Sequence, residues 1–216
     1  FLRSISSAYR IWIDGVEKPG LGTVGTSRQS EQPQAHINLV FFQPKQSIVD
    51  IVIQVSNYSF REGGITREVV YGDTGVLIPY ILKELLYDVV VIGGFFIIAV
   101  YHLLVFGMRK KDQSALFVGL VALFIAARTL MLDGYLSSVL LKIDSWELLV
   151  KLEYMTELAA LISVVFLMQR LYPQEVHRSM VQLSMIITLL LFLFVLFTPA
   201  RVYTASMLLQ SLVKCA

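Results

Sequence analysis

The sequence is poor in charge and in cysteine. Charged residues make up 16% of the 216 residues, whereas a soluble globular domain carries about 25%, so the composition disfavours a freely soluble protein. The single cysteine, Cys215, cannot form an internal disulfide and has no metal-ligand spacing around it. The sequence contains no concentrated basic patch, which argues against a nucleic-acid partner. Three scattered histidines, no zinc signature and no nucleophile beside a base predict no metal, no cofactor and no catalytic site.

What is present divides the chain into two parts. Residues 1–85 carry eight basic and eight acidic residues, with 8 of the 13 glycines and 4 of the 6 prolines. Residues 86–216 hold the whole net charge of +2 and the long apolar runs. This contrast predicts an extracytoplasmic β domain over 1–77 and a transmembrane helical domain over 78–216. The chain starts at Phe1 and stops soon after a new apolar run, so we expect a fragment.

Alternation of period two predicts short strands in the first part. Tyr9, Ile11 and Ile13 share one face of a strand that runs into the turn signal Asp14-Gly15. Three further strands are predicted at 37–42, 48–56 and 67–71. Short strands separated by Gly, Pro and Ser clusters favour an antiparallel β-sandwich of jelly-roll type. Four strands make about half of such a sandwich, so we expect this domain to be partial.

One motif in this part resembles a nucleotide site. Residues 20–25 match the pattern G-x-G-x-x-G. That pattern holds a pyrophosphate only when a strand leads into it and a helix begins from it. Residues 26–33 have no helical apolar period, so the match predicts a turn and no dinucleotide cofactor.

Four apolar stretches in the second part predict membrane-spanning helices, and a fifth begins near residue 202. The four cover about 86–108, 113–132, 147–169 and 179–200. Some twenty apolar residues are enough for a helix to cross the roughly 30 Å hydrocarbon core. The third stretch is the weakest because Lys151, Glu153 and Glu157 lie in its first half.

The short loops predict an orientation. Loop 109–112 has three basic residues, and loop 170–178 has Arg170 and Arg178 together with His177, whereas loop 133–146 has only Lys142. Basic loops stay in the cytoplasm. The β domain and loop 133–146 should therefore lie on the outer side.

The joint between the two parts has two alternatives. Pro79 fits the first position of a helix, and nothing breaks the helical pattern from Tyr80 until Gly93. A helix that starts there would join the β domain stiffly to the membrane. A flexible linker is an equally open interpretation.

Ionisable side chains inside a span are costly, so each needs a partner or a role. By a rise of about 1.5 Å per residue, Arg128 in the second span and Glu153 in the third come to similar depth near the outer side. Glu157 lies one turn from Glu153 on the same face. We predict that Arg128 pairs with Glu153, Glu157 or both. A switchable contact between two receptor states is one interpretation, and fixed packing between helices is the favoured one.

A ligand site in the β domain would need an aromatic surface beside hydrogen-bonding side chains. Trp12, Asn57, Tyr58 and Arg61 are the candidates. The alternative places Trp12 in the core and gives Gly63-Gly64 the role of a turn.

Several short motifs, each weak alone, become specific through their order and spacing. They are SSAYRIWIDG at 6–15, GTS at 25–27, QVSNY at 54–58, GGI at 63–65, YHL at 101–103, RKKD at 109–112 with AL at 115–116, Arg128, and KLEY at 151–154. In this order the chain resembles the bacterial seven-transmembrane receptors with diverse intracellular signalling modules. Asp14, where the strand turn often has Asn, is a minor departure.

The resemblance implies an outer jelly-roll domain like those of carbohydrate-binding modules, seven helices, and a cytoplasmic output such as a histidine kinase, a nucleotide cyclase or a phosphatase. Half of the outer domain, the last helices and the output would be missing here. We therefore expect a sensory receptor fragment in the bacterial cytoplasmic membrane. Its expected partners are the lipid bilayer, an extracytoplasmic small molecule or glycan, and a second copy in a homodimer.

Two other functions stay open at this point. The first is a transporter or membrane-embedded enzyme that uses Arg128, Glu153 and Glu157 as a polar pathway. The second is a surface-attached binding protein without a signalling output.

Overall fold

A computed structural model describes most of the chain as two compact units. The described residues are 1–2, 5–34, 38–44, 47–61, 63–65, 68–132, 135–143 and 145–206. The sheet unit comprises those within 1–78, 133–149 and 199–206, and the bundle unit comprises 79–132 and 150–198. Each unit is built from segments that are distant in sequence.

Five strands lie in the sheet unit. They are β1 (Ile5–Ser6), β2 (Ala8–Ile13), β3 (Val16–Leu21), β4 (Ile51–Ser56) and β5 (Gly64–Ile65). β2 is the centre of an antiparallel sheet of order β3-β2-β4, and β1 pairs with β5. Asp14 and Gly15 connect β2 to β3 with φ values of 50° and 75°, the left-handed pair that a two-residue hairpin turn requires. The turn predicted at Asp14-Gly15 is confirmed.

The core of the sheet unit is the predicted face of β2. Tyr9, Ile11 and Ile13 are buried together with Leu2 and Leu21. Ile11 pairs with Ile53 of β4 across the sheet, which places the apolar face of β4 against the same cluster. Burial raises the pKa of the Tyr9 phenol above its ordinary value, so this side chain is neutral at physiological pH.

The other strand predictions need correction. β3 was not predicted, because residues 16–21 carry no apolar alternation; Pro19 is tolerated there because β3 lies at the sheet edge. Of the predicted strand 37–42, the described residues form only an isolated bridge between Asn38 and Leu2, and Val69 in the segment 67–71 bridges the same residue. Leu2 takes both bridges, and the described residues of these two segments form no strand.

Six helices follow. They are α1 (Thr74–Met108), α2 (Gln113–Met131), α3 (Tyr135–Leu141), α4 (Trp146–Leu171), α5 (Arg178–Phe197) and α6 (Ala200–Ala205). α1, α2 and α5 are long and apolar enough to cross a membrane. α4 has 26 residues, and the charges in its first half lower its hydropathy. A small antiparallel sheet followed by membrane-capable helices confirms the predicted fold class.

Several helix boundaries differ from the predictions. α5 ends at Phe197, three residues before the predicted end, because Thr198 and Pro199 interrupt it. α3 was not predicted and lies within the loop between the second and third spans. The fifth span predicted from residue 202 overlaps α6, and its remainder, from 207 onward, lies outside the described residues.

The first helix begins earlier than expected. Asp73 accepts a hydrogen bond from the backbone N–H of Gly75 at 2.7 Å and starts α1 at Thr74. The predicted helix start at Pro79 is wrong, because Pro79 lies inside the helix. α1 has 35 residues and is about 52 Å long at 1.5 Å per residue, longer than a bilayer core requires.

α2 is the most internal membrane-capable helix of the bundle unit. Its buried residues are the small Ala115, Gly119, Ala122 and Ala126, with Met131 at the end of the helix. A Cβ on Gly119 would come within 2.9 Å of the Leu103 side chain of α1. Small residues let neighbouring helices approach closely where lipid supplies no hydrophobic drive.

Candidate functional site

Arg128 of α2 lies between two carboxylates of α4. Its Nη2 atom is 3.6 Å from Oε1 of Glu153, and its Nε atom is 3.7 Å from Oε2 of Glu157. The side chains are about one quarter to one third exposed, at 35% for Arg128, 24% for Glu153 and 26% for Glu157. All three belong to the bundle unit. The structure therefore brings together three ionisable residues that the sequence places inside the predicted spans.

The contact is electrostatic and loose. The Nε atom of Arg128 is buried and has no hydrogen-bond partner among the described residues, and 3.6–3.7 Å is too long for a hydrogen bond. Glu153 and Glu157 are one helical turn apart. A small shift of α4 would therefore tighten one ion pair and lengthen the other.

Two further contacts fix the directions of the neighbouring helices. Phe117 of α2 stacks on Phe166 of α4, with ring centroids 5.2 Å apart. Because Arg128 lies later in α2 and contacts Glu153, which lies earlier in α4, the two helices run antiparallel. Lys151 of α4 donates to the carbonyl oxygen of Leu196 in the last turn of α5 at 3.2 Å. A cation at a helix C-terminus is favourable because the helix dipole is negative there.

In the sheet unit the most buried carboxylate is Glu31, which is 5% exposed. Its Oε1 accepts hydrogen bonds from the hydroxyls of Ser7 and Ser56 at 3.2 and 2.9 Å. Its Oε2 accepts from the backbone N–H of Tyr58 and the hydroxyl of Ser59 at 2.9 and 2.8 Å. Hydrogen bonds to a charged acceptor are about twice as strong as neutral ones. Glu31 thus ties three chain segments together.

Sequence reasoning missed Glu31, and the signal for it is indirect. It lies in a Ser- and Gln-rich stretch that has the composition of a solvated loop. The motifs at 6–15, 25–27 and 54–58, however, all meet around it. A Cβ on Gly25 would come within 2.5 Å of the Glu31 backbone nitrogen. The GTS motif therefore needs a glycine at this position, because the backbone of Glu31 lies too close for a side chain. The shared position of the motifs indicates a structural role for them.

The four predicted ligand-binding residues take different positions in the sheet unit. Asn57 closes a turn with Phe60 through bonds of 2.8 and 2.9 Å, and the Tyr58 hydroxyl donates to the Thr26 carbonyl at 2.9 Å. Trp12 pairs with Val52 near the far end of β2, four residues from the strand end that adjoins Asn57, or about 13 Å. Arg61 is exposed. Ligand binding by these residues stays a prediction.

A cavity of about 400 Å³ lies elsewhere in the sheet unit. Its lining comes from the loop 28–34, from Ser59, from the start of α4 at 145–147, and from 199–201. Two arginines, Arg28 and Arg201, line it together with one carboxylate, Glu147. This volume suits a small molecule, and the arginines suit one that carries an anionic group.

Ring packing connects the β part to the beginning of α4. Phe60 and Trp146 meet edge to face, with centroids 5.9 Å apart. Trp146, the first residue of α4, is 9% exposed and also lines the cavity. Ser145 accepts from the Leu148 N–H at 3.4 Å and caps the helix. The first turn of α4 thus belongs to the sheet unit.

Comparison with known proteins identifies one family. The family model described as "7TM diverse intracellular signalling" matches residues 84–214, which is more than half of the chain. No curated protein and no solved structure matches the chain. The matched range begins within α1, at residue 84, and includes all of α2 to α6.

Proposed function

Because the chain belongs to the 7TM diverse intracellular signalling family, we propose that it is a membrane sensory receptor that binds a small polar molecule carrying an anionic group, sugar acids included. Family membership makes it a membrane-embedded signalling protein. The identity of the ligand, the site that binds it and the relay of the signal through the helices are what we propose beyond family membership. The observation that carries it is the cavity lined by Arg28 and Arg201, because the same cavity is lined by the first turn of α4.

The relay would run along α4. Trp146 lies seven residues before Glu153, which is about 10 Å along a helix. A ligand that moves the first turn of α4 would therefore also move the carboxylates, because both belong to the same helix. Arg128 faces two carboxylates one turn apart and closes no Nε hydrogen bond. An axial shift or rotation of α4 would change which of the two carboxylates lies closer to Arg128. Two such arrangements form a bistable element, and a ligand shifts their balance by its difference in affinity.

The transporter or enzyme alternative uses the same three residues as a polar pathway. Both carboxylates lie beside the same arginine, 3.6 and 3.7 Å from two of its nitrogen atoms, so the three residues form one compact cluster. The geometry therefore favours a local contact that can switch.

Ligand binding is testable in the purified full chain through Trp146, one of only two tryptophans. We expect a screen of sugars, sugar acids and dicarboxylates to yield compounds that change tryptophan fluorescence. Replacing Arg28 and Arg201 by alanine should weaken binding of such a compound tenfold or more, since each lost charged hydrogen bond costs about 1.5–3 kcal/mol. Arg10→Ala is the matched control, because Arg10 lies on β2 and does not line the cavity. If Arg10→Ala weakened binding equally, the cavity would not be the binding site.

The proposed orientation places the basic loops in the cytoplasm. Cys215→Ser leaves a chain without cysteine, and single cysteines are then introduced at Lys111 and Lys142. In intact cells we expect a membrane-impermeant maleimide to label position 142, and to label position 111 only after permeabilisation, because the loop richer in basic residues stays inside. The reverse pattern would contradict the orientation.

A further inference from the structure

A second cavity lies in the bundle unit, where α4 ends and α5 begins. Its volume is about 410 Å³. Two arginines, Arg170 in the last turn of α4 and Arg178 at the first position of α5, line it. Gln169 and Gln182 add amide groups to the same lining. The polar part of the cavity is therefore cationic and rich in hydrogen-bond donors.

The lining of this cavity farther from the two helix ends is apolar. Phe166, which stacks on Phe117, and Met185, which is 47% exposed, line it. Met185 lies two helical turns into α5, a helix apolar enough to cross a membrane. The cavity therefore joins a cationic rim at the helix ends to an apolar wall at the depth of acyl chains.

The surrounding charges strengthen the preference for an anion. α5 has no acidic residue in its first turn, and its N-cap residue His177 makes no side-chain capping bond, so the positive end of the helix dipole is not offset there. The antiparallel arrangement of α2 and α4 puts the basic loop 109–112 at the same end of the bundle unit. Glu175 is the one carboxylate of the connecting segment 172–177, and it does not line the cavity.

We propose that this cavity binds the headgroup of an anionic phospholipid. Arg170 and Arg178 hold the lipid phosphate, Gln169 and Gln182 donate to its oxygens, and the acyl chains run along Phe166 and Met185. Arginine is suited to this because its planar guanidinium binds phosphate through two parallel hydrogen bonds. Basic pockets between membrane helices recognise anionic headgroups by the same combination of charge and depth. A lipid fits better than free phosphate because free phosphate would leave the apolar wall unused.

Native mass spectrometry of the full chain tests this with two lipids of equal acyl chains, phosphatidylglycerol and phosphatidylcholine. We expect one phosphatidylglycerol to be retained in preference to phosphatidylcholine. A basic residue near an anionic lipid contributes about 1 kcal/mol, so each arginine should raise that preference about fivefold. Arg170→Gln with Arg178→Gln should therefore reduce it by about 25-fold. Both side chains are exposed, so the helical content and melting of this variant should be unchanged.

The control is Arg109→Gln with Lys110→Gln, which removes two charges at the same end but outside the cavity. Because salt screens exposed charges, we expect this variant to keep the preference within about twofold. An equal loss in the control would show nonspecific attraction and overturn the proposal. Release of the lipid by millimolar inorganic phosphate would assign the site to free phosphate instead, and retention would support the lipid.

Discussion

Replacing Arg128 by leucine should destabilise the bundle unit by about 2–4 kcal/mol, because two carboxylates of α4 then lose their shared cation in a poorly hydrated environment. The leucine itself packs well in a membrane helix, so the loss arises from Glu153 and Glu157. The measurement is the unfolding midpoint of the full chain in detergent, titrated with sodium dodecyl sulfate and followed by far-ultraviolet circular dichroism. This signal follows the helices.

Neutralising the two carboxylates shows whether the loss of stability in Arg128→Leu comes from their charge or from altered packing. In the triple variant Arg128→Leu, Glu153→Gln, Glu157→Gln, no unpaired charge is left in this cluster, and we expect stability to recover to within about 1 kcal/mol of the wild type. Lys110→Leu in the exposed loop is the matched control, with an expected change of less than about 0.5 kcal/mol. If the triple variant were as unstable as Arg128→Leu, the ion pairs would not be the cause.

Glu31→Ala should destabilise the sheet unit by about 3–5 kcal/mol. The hydroxyls of Ser56 and Ser59 and the N–H of Tyr58 would lose their acceptor in a buried site, whereas Ser7 can still donate to Asn57 at 3.0 Å. Both tryptophans, Trp12 and Trp146, lie in the sheet unit. Unfolding followed by tryptophan fluorescence should therefore shift strongly.

Two further variants sharpen the Glu31 prediction. Glu31→Gln should lose less stability than Glu31→Ala. The serine hydroxyls can rotate to accept hydrogen bonds from the new amide NH₂, and the amide oxygen still accepts from the Tyr58 N–H. Glu17→Ala, at an exposed strand position 4.0 Å from Arg10, should change stability by less than about 0.5 kcal/mol. An effect of Glu31→Ala no larger than that of Glu17→Ala would contradict the structural role.

The sequence predicts those features that depend on local periodicity. Strand β2 and its turn follow from the alternation of Tyr9, Ile11 and Ile13 and from Asp14-Gly15. The four long helices α1, α2, α4 and α5 follow from apolar runs of bilayer length. Arg128 and Glu153 come together because a charge inside a span needs a partner at equal depth, and depth can be read from residue counts.

Features that depend on distant contacts could not be predicted in this way. β3 has no apolar alternation, since Leu21 is its one buried residue, and pairing with β2 makes it a strand. Glu31 resembles a solvated loop residue until Ser7, Ser56 and Ser59 are placed around it. The cavity in the sheet unit needs the β part to meet the helix ends at 145–147 and 199–201, which no local pattern encodes.

A distance measurement between the two basic loops tests the relay most directly. Spin labels are attached to cysteines at Lys111 and Glu175 in the Cys215→Ser background, and their separation is measured by pulsed electron paramagnetic resonance. The added compound is one whose binding depends on Arg28 and Arg201. The account predicts that it changes the separation by about 2 Å or more, the scale of helix shifts in switching proteins. Saturating compound with an unchanged distance distribution would contradict the relay.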